Sequence, residues 1–392
     1  FRTLDGGVFS EKAGKADVGD AVSKLQAEGG TLMCWADPFY PDRVIPQKVL
    51  ERSVEVTQQG VACHYTPPIG NADLKEVIAK KIERDNHIKV NPQRNIIINP
   101  GSDVGLYFAM TPFIEPGDEV LVHDPSYPSN FLDPQLLNGV VVKVPTYEED
   151  NYRLRVEEYE KRLTPKTKMV LLSSPNNPTG RILHADEAQA VEQFLLAHPD
   201  VYMISDEIYE KLVYDGCKSI SMASFSSVKD RVITINGFSK CAAMTGWRMG
   251  YLTASRDVFN VIYRLYQHSL SCMSGFLQVG AVEVFNCEQE MEEMRKIYEE
   301  RRNMFCGALN AIPGVRCTLP EGAFYAWVYF DIKGMTSEQM CEYLLENAGV
   351  VGMPGSAYGE ETACSMRFSF ANATADLERA AAKITSALKA LQ

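Results

Sequence analysis

RVITINGFSKCAAMTGWRMGY, residues 231–251, is the stretch from which the rest of the chain can be read. Its opening run, Val232, Ile233 and Ile235, is apolar and β-branched and predicts a buried strand. The run breaks at Gly237, presents Ser239 and Lys240, and reaches Arg248 eight residues past the lysine, before a second strand-like run. Lysine ordinarily occupies a solvated face. One held just past a buried strand is partly desolvated, loses its proton more readily and becomes a nucleophile.

The spacing from Ser239-Lys240 to Arg248, inside GFSK…TGWRMGY, resembles the cofactor-lysine signature of class I/II aminotransferases of fold type I, which use pyridoxal 5'-phosphate. The resemblance implies that Lys240 forms an imine with the cofactor aldehyde and that Ser239 and Arg248 hold the phosphate.

Working upstream, VYMISDEIY (201–209) reads as a strand ending in Ser205-Asp206-Glu207. A carboxylate at the C-terminal end of a buried strand stands where α/β sheets place their ligands. Pyridoxal chemistry needs a carboxylate beside the pyridine nitrogen to keep the ring an electron sink. Asp206 fits the family's S-D-E-x-Y aspartate, and Tyr209 fits the tyrosine that hydrogen-bonds the ring hydroxyl. Further back, SPNNPTG (174–180) resembles the family motif that directs Asn177 at the same hydroxyl. Tyr127, just past the strand EVLVH (119–123), aligns with the aromatic that lies over the pyridine ring.

The strand NIIIN (95–99) runs through Pro100-Gly101-Ser102-Asp103 into a helix extending to about Phe113. Free N–H groups and the helix dipole make such a turn an anion site. The resemblance makes Gly101, Ser102 and Asp103 the backbone phosphate cradle. YTPPIG (65–70) is similar to the family's Y-x-P-x-x-G, which implies that Tyr65 crosses a homodimer interface to the neighbour's cofactor. Asn71 predicts an N-cap for a helix over 73–84. The Pro-punctuated segment TLMCWADPFYPDRVIP (31–46) resembles the strap across the substrate mouth. Ala36 replaces its usual glycine, and Phe39 and Tyr40 replace its Asp-Phe pair. Ala36 and Tyr40 are therefore candidate substrate contacts, the tyrosine lining an apolar pocket. A short helix is expected over 17–29.

Counting strands gives 95–99, 119–123, 140–144, 168–174, 201–205, 232–236 and 249–254, mostly alternating with helices. Several of these runs are apolar throughout, as in a sheet covered on both faces. The expected architecture is α/β. A large, doubly wound, mostly parallel seven-stranded sheet domain spans 46–290. A smaller α+β domain, 1–45 with 291–392, completes an aspartate-aminotransferase-like fold. Helices should fill 256–310, the last (about 288–310) burying Met291, Met294, Tyr298 and Phe305 along one stripe. Near the end, SMRFSFAN (365–372) resembles the strand whose arginine forks onto the substrate α-carboxylate. Arg367 takes that place, since bidentate capture suits arginine better than lysine.

Composition narrows the partners. The net charge of −12 on 392 residues argues against a nucleic-acid surface. No apolar run approaches the roughly 20 residues needed to span a bilayer, and no basic n-region with an apolar h-region opens the sequence. Ten scattered cysteines without a C-x-x-C pair, and histidines without H-E-x-x-H, point to reduced thiols in a cytoplasmic protein and to no metal.

The implied activity is transamination between an amino acid and a 2-oxo acid, with Lys240 shuttling the proton as general acid/base. Same-fold lyases, decarboxylases and synthases start from the same lysine. A non-catalytic effector-binding module of this fold is the alternative of a different class. A second arginine for a dicarboxylic substrate is not assignable.

Overall fold

The computed structural model describes residues 29–38, 44–332, 334–360 and 364–391. The helix expected over 17–29 and the candidate Tyr40 lie outside them, apart from residue 29 itself, which is a turn.

Seven strands form one sheet: β2 (Ile96–Asn99), β3 (Glu119–Asp124), β4 (Val140–Pro145), β5 (Thr167–Ser173), β6 (Tyr202–Asp206), β7 (Val232–Gly237) and β8 (Gly250–Thr253). Each falls within two residues of its expected place. Their order is β2-β8-β7-β6-β5-β3-β4. The run from β7 to β4 is parallel throughout, and β8 is antiparallel to both its neighbours. Crossover helices cover both faces, so the central strands carry apolar residues on both sides. Ile97, Leu171, Ile204, Ile233 and Leu252 pack into one cluster, and Leu121, Val170, Leu172, Met203 and Val232 into another.

A four-stranded antiparallel sheet carries the C-terminal part: β9 (Val315–Cys317), β10 (Tyr325–Phe330), β12 (Met353–Pro354) and β13 (Ser365–Ser369), in the order β12-β13-β10-β9. Strand β1 (Thr31–Leu32) pairs in parallel with β11 (Val350–Val351), which ties the N-terminal segment to this part of the chain. The long charged helix is Glu288–Asn310. It buries Met294, Tyr298 and Phe305 against β10 and β13 residues, while Met291 packs toward the opposite cluster near β2 and β8.

Two local expectations need correction. The helix Ala72–Asn86 starts after Asn71, but the Asn71 side chain makes no capping bond; its backbone N–H donates to Gln278 Oε1 at 2.7 Å. The helix after β2 is Ser102–Met110 and stops short of Phe113.

Candidate active site

Strand ends converge on a cavity of about 400 Å³. Strand β7 delivers Ser239 and Lys240, β6 delivers Asp206, Ile208 and Tyr209, and β5 delivers Ser173, Pro175 and Asn177. The turns after β2 and β3 add Ser102, Asp103 and Tyr127. The segment 34–37 closes one side, and Thr245 and Arg248 close another. All these groups lie at the carboxyl ends of parallel strands or beside them, where an open α/β sheet leaves its crevice.

The lysine loop is shaped by close backbone approach. Gly237 and Gly250 pair across β7 and β8, and a Cβ on Gly237 would stand 2.9 Å from the Met249 carbonyl oxygen. The chain then turns and half-buries Lys240, whose Nζ donates to the Ala36 carbonyl at 2.6 Å. Tyr209 and Phe324 flank the ammonium, with ring centroids at 5.9 and 5.7 Å. Desolvation lowers the Lys240 pKa to about 8, partly opposed by the carboxylates of Asp103 and Asp37. At that pH half the molecules carry a nucleophilic amine.

Asp206 is buried at the end of β6. Its oxygens accept from Ser173 Oγ at 3.4 Å and from the Ile208 N–H at 3.3 Å. Burial outweighs these bonds and raises its pKa to about 7. A carboxyl poised there becomes a firm anion as soon as a cationic N–H is brought beside it.

Across the cavity, Gly101 has φ +83° and lies under the Arg248 guanidinium; a Cβ there would meet Nη2 at 2.5 Å. Arg248 itself has φ 51°, a left-handed conformation that costs a side-chain-bearing residue about 1 kcal/mol. Its Nη1 donates to the Thr245 carbonyl at 3.0 Å, and its Nη2 stands 3.6 Å from Asp103 Oδ2. The first N–H groups of the Ser102–Met110 helix face the same space.

Arg367 adjoins the cavity from β13. It is buried, donates to Asn177 Oδ1 at 3.0 Å and to the Cys34 carbonyl at 2.6 Å, and lies over the rings of Tyr325 and Tyr358 at 4.4 and 5.0 Å. Its Nε is buried without a partner.

Ala36, Ser102, Asp103, Tyr127, Asn177, Asp206, Tyr209, Ser239, Lys240 and Arg248 thus meet in one cavity, with Gly101 and Arg367 at its edges. Ala36 turns its carbonyl to the Lys240 ammonium. Tyr65 is not in the cavity lining: its side chain is 91% exposed. Sequence reading missed Tyr325, whose hydroxyl bonds that of Tyr209, as well as Tyr358, Asp37 and Thr245, the last two joined by a hydrogen bond. Tyr325 lies within an apolar strand run, β10, that gives no sign of its partner.

A family model described as aminotransferase class I and II matches residues 32–384. The chain belongs to that family. It is 37% identical over 352 residues to an aromatic-amino-acid aminotransferase 2 of Thermococcus litoralis, covering 89% of this chain and 90% of that protein. An aspartate aminotransferase of Pyrococcus abyssi is 36% identical over the same shares of the two chains. The crystal structure of an aromatic aminotransferase from Pyrococcus horikoshii superposes with a TM-score of 0.88 at 34% identity, over 94% of this chain and 99% of that one. The fold is accordingly fold type I, and the protein is a pyridoxal-phosphate-dependent transaminase acting on amino acids and keto acids.

This aminotransferase's own residues fit that cofactor. The bare Gly101 backbone lets the Arg248 guanidinium pack against the start of the Ser102–Met110 helix, which gives a phosphate a cation beside free N–H groups, and Asp206 offers a buried carboxyl for a pyridine nitrogen. The Lys240 amine is desolvated enough to react with an aldehyde.

Proposed function

We propose that Lys240 holds the cofactor aldehyde and afterwards moves the substrate's Cα proton. The observation that carries this reading is the convergence of a desolvated amine, a buried carboxyl and an arginine-and-helix anion cradle on one cavity. Bound there, pyridoxal phosphate would supply an electron sink for the charge left at Cα. The chain's residues do the rest. Arg248, Ser239 and the N–H groups of 101–103 would hold the phosphate. Asp206 would pair with the ring nitrogen, Asn177 and Tyr209 would donate to the ring hydroxyl, and Tyr127 would cover the ring. Arg367 fixes the substrate carboxylate, which orients Cα toward the Lys240 amine. Phe324 and Tyr209 exclude water from that amine, so its proton passes to and from the substrate rather than to solvent.

The preferred donor in this reading has an uncharged side chain. Of the cavity's cations, Lys240 and Arg248 serve the cofactor and Arg367 the α-carboxylate, which leaves no cation among the described lining residues for a second carboxylate. Trp35, Ile208 and the tyrosines offer apolar surface instead. The Thermococcus litoralis relative is named for aromatic amino acids, whereas the Pyrococcus abyssi one is named for aspartate.

The larger, cofactor-carrying domain is proposed as 46–290 and the smaller as 1–45 with 291–392. In support, the seven-stranded sheet lies within 96–253 and the four-stranded sheet within 315–369. A homodimer is proposed with Tyr65 crossing to the partner's site; in support, this tyrosine stands 91% exposed on a Pro-rich turn, outside the cavity lining of its own subunit. A cytoplasmic location accords with the lack of a disulfide among the described residues, and thiol trapping in fractionated cells would check it.

One set of variants tests the central reading. Wild type with pyridoxal phosphate should develop an imine absorbance that bleaches with one amino acid of a panel, and Lys240→Ala should develop none. Mixing Lys240→Ala with Tyr65→Phe should restore more activity than either variant has, because one site of the mixed dimer is intact. An imine band surviving in Lys240→Ala would sink the assignment of the lysine, and the absence of restoration on mixing would sink the shared site.

A further inference from the structure

The anion cradle contains a residue that an anion should not want. Asp103 sits in the first turn of the Ser102–Met110 helix, where the helix dipole favours negative charge, and its side chain points into the cavity. Oδ2 is 3.6 Å from Arg248 Nη2, and both side chains are about half exposed, at 46% and 49%. Asp103 also acts on the Tyr127 hydroxyl, where it opposes ionisation, and on the Lys240 ammonium, which it favours. Its carboxylate therefore already occupies, in part, the electrostatic place that a phosphate would take.

Arg248 has little freedom to serve both. Nη1 is held by the Thr245 carbonyl at 3.0 Å, and the face of the guanidinium near Nη2 is packed on Gly101. A phosphate oxygen that comes within hydrogen-bonding distance of Nη2 must share that nitrogen with the carboxylate 3.6 Å away.

We infer that Asp103 is an anion-discriminating residue: its carboxylate competes with phosphate for Arg248, so the cradle rejects free phosphate and retains only a phosphate ligand that Lys240 also captures. This inference rests on the reading of Lys240 and Arg248 given above. It assigns to the Asp103 side chain a function separate from the backbone N–H of the same residue. Free phosphate gains only the cradle and meets the full repulsion. The cofactor offsets the same repulsion with its bond to the lysine and its contacts with Asp206 and Asn177.

The test compares full-length wild type, Asp103→Asn and Asp103→Glu, each freed of cofactor. Calorimetry measures inorganic phosphate affinity, and absorbance measures capture of pyridoxal phosphate. An exposed charge pair changes affinity by up to about fivefold for each charge, and phosphate carries roughly 1.5 to 2 charges, so Asp103→Asn should bind inorganic phosphate about 10- to 25-fold more tightly. Asp103→Glu keeps the charge and should stay within about threefold of wild type. Phosphate affinity in Asp103→Asn that is unchanged or weaker overturns the inference, whether the cause is lost shape or an indifferent carboxylate. Equal tightening in Asp103→Glu overturns it too, because charge would then not be the cause. A wild type with no imine band fails at the underlying reading instead, and removes the discrimination with it.

Discussion

Replacing Arg367 with lysine keeps the charge and removes the fork. A guanidinium has five N–H donors. Two are engaged, with Asn177 Oδ1 at 3.0 Å and the Cys34 carbonyl at 2.6 Å, and Nε is buried with no partner. Three donors are left, enough for two parallel bonds to a substrate carboxylate. An ammonium offers at most one well-directed bond from the same place, and it also loses the stacking on Tyr325 and Tyr358. A charge-assisted hydrogen bond is worth about 1.5–3 kcal/mol, so the net loss of one lowers kcat/KM for the amino acid roughly 10- to 150-fold. The assay is the single-turnover bleaching of the loaded enzyme with an amino acid, run beside the amine that lacks its carboxylate. Only the amino acid should suffer. If the amine loses as much rate as the amino acid, Arg367 acts by supporting the cavity, and the carboxylate argument is wrong.

Two further predictions concern the buried charges. Burial raises Asp206 from 3.8 to about 7 and Glu207 from 4.5 to about 8. A raised acid stabilises the fold below its unfolded value and loses that contribution as pH climbs through the folded one. The cofactor-free protein should therefore melt lower at pH 8.5 than at pH 5.5. Asp206→Asn should gain on wild type over that range, by an amount on the order of 2 kcal/mol, since the linkage acts only from pH 5.5 up to the folded value. A gap between the two that does not change with pH in thermal melts would contradict the buried titration. Behind the cavity, Lys81 pairs with Glu210, both side chains under 10% exposed, next in sequence to Tyr209. Asp85 stands 4.0 Å from the same ammonium and softens the loss. Lys81→Met or Glu210→Met alone should cost about 2–4 kcal/mol in urea unfolding, and the double variant less than the two together; simple additivity would show that the pair is not coupled.

How much of this was legible in the sequence depends on what each signal needed. The seven strands were found to within two residues because their runs are continuously apolar and β-branched, and a parallel sheet covered on both faces demands that pattern wherever it occurs. Lys240, Asp206 and Asn177 were legible through their likeness to family motifs, and each stands at or just past the end of such a run, so strand prediction also put them at the crevice. Tyr325 was not. Its place beside Tyr209 and Arg367 is set by the pairing of β10 with β13, where Trp327 stands opposite Arg367, and no local pattern encodes a partner 116 residues away. Asn71 fits the composition rule for a cap and stands at the N-cap position, yet its side chain makes no capping bond, and its backbone N–H is held by Gln278, 207 residues away. Asp103 is the most instructive residue. Sequence alone placed it correctly in an anion-binding turn and valued only its backbone. That its carboxylate faces Arg248 across 3.6 Å is geometry, and it changes the turn from a simple phosphate site into one that can refuse phosphate.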